Sequence, residues 1–155
     1  MVTMQALHLP NVTKNICKEN EIMPIKILLI THEEIGTALL QATHNAFGGE
    51  LPLATTVISV QQKTDPDTLL LRLKQFLNQI DISEGVLILT DLYGSTPCNI
   101  ASQLNNQEQI QVVSGLNLPM LIRVMNYPSL PLVELANKAL SGGKDGVLNC
   151  SKEQL

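Results

Sequence analysis

From Pro24 onward, short aliphatic runs alternate with longer stretches in which apolar residues recur at helical spacing. That is the pattern of βαβ units around a parallel sheet. Four strands are expected, at Lys26–Thr31, Ala54–Ser59, Gly85–Thr90 and Gln109–Ser114. In the first and third, Ile27-Leu28-Leu29-Ile30 and Val86-Leu87-Ile88-Leu89 are apolar without alternation, as central strands covered on both faces require.

Between the strands, Ile35, Ala38, Leu39, Ala42 and Ala46 predict a crossover helix that stops at Gly48-Gly49. Asp65-Pro66 opens a second helix, with Asp65 as N-cap, Pro66 at the first helical position and Leu69, Leu70, Leu73, Phe76, Leu77 and Ile80 on its buried side. Thr96-Pro97 repeats the start signal, with Thr96 as N-cap, for a third helix ending near Leu104. Leu118–Met125 predicts a fourth, and Leu132, Leu135, Ala136, Ala139 and Leu140 a fifth, closed by Gly142-Gly143. Gly146-Val147-Leu148 has the composition of a short antiparallel edge strand at the C-terminal end. The expected fold is α/β, a doubly wound and mainly parallel sheet in flavodoxin-like order over residues 24–155, after a polar, weakly ordered extension at residues 1–23.

Composition narrows the classes of partner. At 155 residues the chain fits one domain, large enough to need neither disulfides nor a structural metal. Ten basic against 14 acidic residues give a net charge of -4, with no electrostatic footprint for nucleic acid. Two Tyr, two Phe and no Trp supply no stacking platform for bases, and no apolar run approaches the roughly 18 residues that span a bilayer. Cys17, Cys98 and Cys150 are odd in number and widely spaced, which indicates neither a disulfide framework nor a zinc ribbon. They read as reduced thiols of a cytoplasmic protein, in line with the absence of a secretory or organellar targeting pattern from Met1 to Glu21. His8 and His44 read as surface residues, and neither a metal nor a cofactor is expected. Gly142-Gly143-Lys144-Asp145-Gly146 lacks the glycine spacing and the hydroxyl residue of a P-loop and reads as a helix stop and a turn.

Candidate chemistry gathers at one place. In doubly wound sheets, ligands bind beyond the carboxyl ends of the strands where the winding reverses. In flavodoxin-like order that point lies between strands one and three, so topology brings His32 to Asp91. A histidine hydrogen-bonded to a carboxylate through one ring nitrogen has its tautomer fixed and the other nitrogen free as a nucleophile. The Gly94-Ser95-Thr96 turn opens a helix whose unpaired N–H groups and positive dipole end favour an anion, with the Thr96 hydroxyl as a further donor. Phosphoryl transfer asks mainly for in-line positioning and stabilisation of charge on the equatorial oxygens. A nucleophile beside an anion nest supplies both.

These residues carry a resemblance. Thr31-His32, the run Gly85-Val86-Leu87-Ile88-Leu89-Thr90-Asp91 leading into Gly94-Ser95-Thr96-Pro97-Cys98-Asn99, and Gly115-Leu116-Asn117-Leu118-Pro119-Met120-Leu121 follow strands one, three and four in order. Over roughly Ile25 to Val147 the chain resembles the enzyme IIA component, mannose family, of the bacterial phosphoenolpyruvate-dependent sugar phosphotransferase system. The resemblance implies a phosphotransferase in which His32 is phosphorylated, Asp91 orients its ring and Thr96 helps hold the phosphoryl group, together with Gly94 and Ser95. It implies the histidine-containing phosphocarrier protein as donor and an enzyme IIB component as acceptor, with the protein at most peripheral to a membrane permease. It also implies a homodimer in which the C-terminal strand crosses to the other subunit. Glu33-Glu34 depart from the glycine common beside the Thr-His pair, and Leu92 replaces a hydroxyl residue that can follow the aspartate. Two other classes share the pattern: a regulatory protein of an incomplete phosphotransferase system, and a flavodoxin-like binding or receiver module without transfer. A receiver would carry an acidic cluster after the first strand, where this chain has Thr31-His32.

Overall fold

The computed structural model describes residues 24–105 and 108–150. The expected extension at residues 1–23 lies outside them. Four strands, β1 (Lys26–His32), β2 (Thr55–Val60), β3 (Val86–Thr90) and β4 (Ile110–Ser114), alternate with α1 (Ile35–Phe47), α2 (Pro66–Gln79), α3 (Thr96–Leu104), α4 (Leu118–Met125) and α5 (Leu132–Asp145). The strands form one sheet in the order β2-β1-β3-β4, and every pairing is parallel. This is the doubly wound, flavodoxin-like order expected from the sequence.

The unbroken apolar runs of β1 and β3 fill two cores at once. Successive side chains of a strand point to opposite faces, so Ile27, Leu29, Leu87 and Leu89 join one cluster with residues of α4 and α5, while Leu28, Ile30, Val86 and Ile88 join another with residues of α2 and α3. On α2, Leu69, Leu73 and Leu77 are buried, and Asp65 caps the helix by accepting the Thr68 N–H at 2.8 Å, with Pro66 in its first turn. Both features follow the sequence reading.

Helix α1 departs from it in phase. Its buried residues are Gly36 and Thr43, with Leu39, Leu40 and Phe47 packed on the core, whereas Ile35, Ala38 and Ala46 are exposed. The cause is a close approach at Gly36: a Cβ there would stand 2.7 Å from Thr31 Oγ1 and 3.0 Å from a Val57 methyl. The glycine lets α1 settle on β1 and β2, and that contact sets the rotation of the helix.

Two further expectations are corrected at the C-terminal end. Gly142-Gly143 do not stop α5, which runs through them to Asp145. They are buried where α5 crosses α4: a Cβ on Gly142 would collide with the Arg123 side chain, and one on Gly143 would lie 2.8 Å from the Met120 methyl. The small residues serve helix packing rather than termination. The edge strand at 146–148 does not form within the chain, since Gly146 caps α5 and no strand follows among the described residues. Cys98 is buried and Cys150 exposed, and neither is in a disulfide. Among the described residues no helix is long and apolar enough to cross a membrane.

Candidate active site

The site is built where β1 outruns its neighbour. Ile30 pairs with Thr90, the last residue of β3, so the next residues, Thr31-His32 on one chain segment and Asp91 on the other, project beyond that pairing. His32 is still held to β2, opposite Val60. Thr31 is fully buried, and its hydroxyl accepts the Gly36 N–H at 2.8 Å. It satisfies one of the amides left without a partner in the first turn of α1, because the N-cap residue Glu34 makes no side-chain bond there. Sequence reasoning named Thr31 but gave it no task, because a hydroxyl three residues before the N-cap is outside the usual capping pattern.

Asp91 then fixes His32 twice. Its Oδ2 accepts the His32 backbone N–H at 2.9 Å and lies 2.9 Å from the ring Nδ1. Its Oδ1 accepts the Leu92 N–H at 3.0 Å. Side-chain exposure is 8% for Asp91 and 36% for His32, so the carboxylate sits behind a ring that reaches solvent. Burial pushes the Asp91 carboxyl up, but the bonds from the His32 backbone and ring outweigh it and leave the group below its ordinary value. An ionised carboxylate facing Nδ1 selects the tautomer with the proton on Nδ1 and the lone pair on Nε2.

The loop after Asp91 is shaped by its own bonds. Gly94 adopts φ 77°, and Ser95 Oγ donates to the Leu92 carbonyl at 2.7 Å. Ser95 is the N-cap of α3 by backbone geometry, and Thr96 is the first helical residue, one position later than the expected cap. The consequence is chemical: Thr96 is free of a capping duty and lines a cavity of about 460 Å³ together with His32. In the first turn of a helix the backbone N–H groups have no partner within the helix and carry its positive dipole end. Thr96 thus shares the cavity wall with His32, while Gly94 and Ser95 lie in the turn before it and do not line the cavity. Leu92 and Tyr93, in the loop that leads from Asp91 to α3, are 61% and 85% exposed.

The rest of the cavity comes from residues that sequence reasoning did not name. Val60, Gln61, Gln62 and Thr64, at the end of β2 and in the loop after it, line it with Glu33. The signal was present in the strand order, because β2 flanks β1 and its carboxyl end must border any site there. Glu33 has φ 42°, in the left-handed region where a non-glycine side chain costs about 1–2 kcal/mol. On the far side, the Thr90 carbonyl accepts the Gly115 and Leu116 N–H groups, both at 2.9 Å. Asn117 caps α4 by accepting the Met120 N–H at 2.9 Å and donates to the Gly143 carbonyl at 3.2 Å. Asn117 thus ties α4 to α5. His44 lies away from the cavity, its Nδ1 2.6 Å from the Gly49 carbonyl at the end of α1.

Fold and site together define a doubly wound α/β domain that presents a carboxylate-oriented histidine beside a helix N-terminus. Residues 26–139 match the family model EIIA-man, described as the phosphotransferase system fructose IIA component, and the chain belongs to that family. It is similar to the mannose-specific EIIAB component of Escherichia coli (strain K12), 29% identical over 130 residues that cover 81% of this chain and 39% of that protein. This chain therefore spans about two fifths of that relative's length. It is 27% identical over 130 residues to the fructose-specific EIIA component of Bacillus subtilis (strain 168), covering 83% of this chain and 88% of that one. Its fold matches the mannose/sorbose specific IIA subunit from Enterococcus faecalis with a TM-score of 0.73 at 29% identity, over 83% of this chain and 96% of that one.

Proposed function

We propose that the protein is a phosphocarrier of a sugar phosphotransferase system, taking a phosphoryl group onto Nε2 of His32 from the histidine-containing phosphocarrier protein and passing it to an enzyme IIB component. The observation that carries this reading is the Asp91 Oδ2 bond to His32 Nδ1 at 2.9 Å, which engages one ring nitrogen and leaves the other as the nucleophile. Membership of the IIA family supports it.

In the accepting step the Nε2 lone pair attacks phosphorus in line with the nitrogen–phosphorus bond of the donor's phosphohistidine. The new bond forms at Nε2, the old one breaks, and its electron pair returns to the donor ring, which carries a proton on its other nitrogen and so leaves as neutral imidazole. The His32 ring keeps its Nδ1 proton and gains positive charge, which the Asp91 carboxylate offsets. No proton needs to move. The first-turn amides of α3 and the Thr96 hydroxyl stabilise the equatorial oxygens during transfer. The reverse geometry delivers the group to the acceptor.

A homodimer formed through the C-terminal segment belongs to the same reading. Val147 and Leu148, both 78% exposed, are the apolar positions that such an exchange would cover.

The test is labelling from radioactive phosphoenolpyruvate with enzyme I and the phosphocarrier protein, followed by mass spectrometry under alkaline conditions that preserve phosphohistidine. Label is expected on His32 and absent from His32→Ala. Normal labelling of His32→Ala would sink the proposal, and phosphate recovered on Asp91 would favour a receiver-like module.

A further inference from the structure

Glu33 is the one part of the cavity wall whose chemistry runs against the rest. It is the only non-glycine residue with positive φ among the described residues, and its strain is held from two sides. Its N–H donates to the Val60 carbonyl at 3.2 Å, and its Oε1 accepts the Gln62 N–H at 3.4 Å. Backbone and carboxylate are both tied to the carboxyl end of β2 and the loop after it. The charge thus stays on the wall that the His32 ring and Thr96 also line.

Among the described residues, no lysine or arginine lines that cavity. Asp91 sits behind the ring with both oxygens engaged. Among the described residues, Glu33 is the only carboxylate on the wall, and it has the sign of a phosphoryl group. A dianion on Nε2 would meet the favourable dipole of α3 on one side and like charge on the other. The repulsion exists only while His32 carries the group and disappears when the group leaves.

We propose that Glu33 tunes the transfer equilibrium of His32, disfavouring the phosphorylated ring and so driving the phosphoryl group onward to the acceptor. This rests on His32 as the phosphoryl acceptor. Bonds and electrons balance as in the accepting step: in onward transfer the Nε2–phosphorus bond breaks, its electron pair returns to Nε2, and phosphorus bonds to the acceptor's nucleophile. Glu33 forms no bond and moves no proton. It acts through charge alone, and because the carboxylate is exposed, solvent limits the effect to about three- to tenfold in the equilibrium constant. A strained carboxylate kept where glycine would be free of strain is explained by such a role.

The experiment measures the equilibrium between the phosphorylated phosphocarrier protein and this protein for wild type, Glu33→Gln and Glu33→Gly. Ionic strength is varied from low salt to about 0.5 M, where the screening length is roughly 4 Å. Glu33→Gln keeps an acceptor for the Gln62 N–H and removes only the charge. Both variants are expected to shift the equilibrium constant about three- to tenfold toward phosphorylated His32 at low salt, with the difference fading at high salt. A purely structural role would leave Glu33→Gln equal to wild type and move only Glu33→Gly, at all salt concentrations. That result, or lower occupancy in Glu33→Gln, overturns the inference. If His32 takes no label in wild type, the acceptor assignment itself fails and this inference with it.

Discussion

A single carboxylate oxygen, Oδ2 of Asp91, is 2.9 Å from both the backbone nitrogen and the ring Nδ1 of His32. The backbone bond fixes where the residue starts and the ring bond fixes where it points. Orientation of the imidazole ring is therefore locked to the end of the neighbouring strand rather than left to the side chain's own rotamer preference.

Asp91→Asn removes the charge and offers Nδ1 a group that can donate as well as accept, so the ring can take the wrong tautomer. At metal sites, partners that fix a histidine's ring and tautomer matter by about 10–100-fold, and the same orienting task is at stake here. Transfer from the phosphorylated phosphocarrier protein to His32 should slow by about that factor, read by rapid-quench labelling, while circular dichroism stays native. A wild-type rate would show that Asp91 does not orient the ring.

Thr96 lines the cavity without serving as the N-cap of α3. Thr96→Val should therefore leave thermal stability within about 1 kcal/mol of wild type while lowering the phosphotransfer rate several-fold, since one donor to the equatorial oxygens is lost. Ser95→Ala is the contrasting variant. It removes the 2.7 Å bond to the Leu92 carbonyl and should cost about 1 kcal/mol, measured by denaturant unfolding.

Gly142→Ala tests the crossing of α4 and α5. Alanine favours a helix over glycine by about 1 kcal/mol, yet here its methyl would collide with the Arg123 side chain and approach the Pro119 carbonyl at 3.3 Å. Overpacking of that kind costs about 1–3 kcal/mol, so net destabilisation is expected in urea titrations. A stabilised variant would mean that the crossing opens at no cost.

Stability should also fall on acidification through Asp91. Its folded value is depressed by the His32 bonds despite burial, so the unfolded chain binds the proton more readily and protonation favours unfolding. The contribution is complete above the ordinary carboxylate value and is lost as pH falls below about 4 through the depressed one. Wild type should thus lose more stability than Asp91→Asn over that acid range, checked by urea unfolding at stepped pH. Parallel curves would show that the depression is absent.

Much of this was legible in the chain. The unbroken Ile27–Ile30 and Val86–Leu89 runs identified the central strands, because only a strand covered on both faces can be apolar at every position. Asp65-Pro66 marked its helix start, because that cap is closed by a bond to Thr68 three residues away. His32 and Asp91 were found together because the alternation of elements admits the flavodoxin-like order, and that order leaves one place where a histidine after β1 and an aspartate after β3 can meet.

The misreadings have a common physical origin. The face of α1 was assigned from its apolar residues, but Gly36 against Thr31 set its rotation. Gly142-Gly143 read as a stop because glycine weakens a helix in isolation, and only the neighbouring α4 makes small residues favourable there. Thr96 read as a cap because Thr-Pro is a start signal, whereas the loop bonds of Ser95 moved the boundary by one residue. Periodicity and capping are local properties, so the sequence by itself determined the elements, their order and the residues delivered to the switch point. Close approach, helix phase, the two hydrogen bonds of Asp91 to His32 and the strained placement of Glu33 depend on residues 5 to 59 positions apart along the chain. Those distances close only when the layers pack, and the tertiary structure alone decided them.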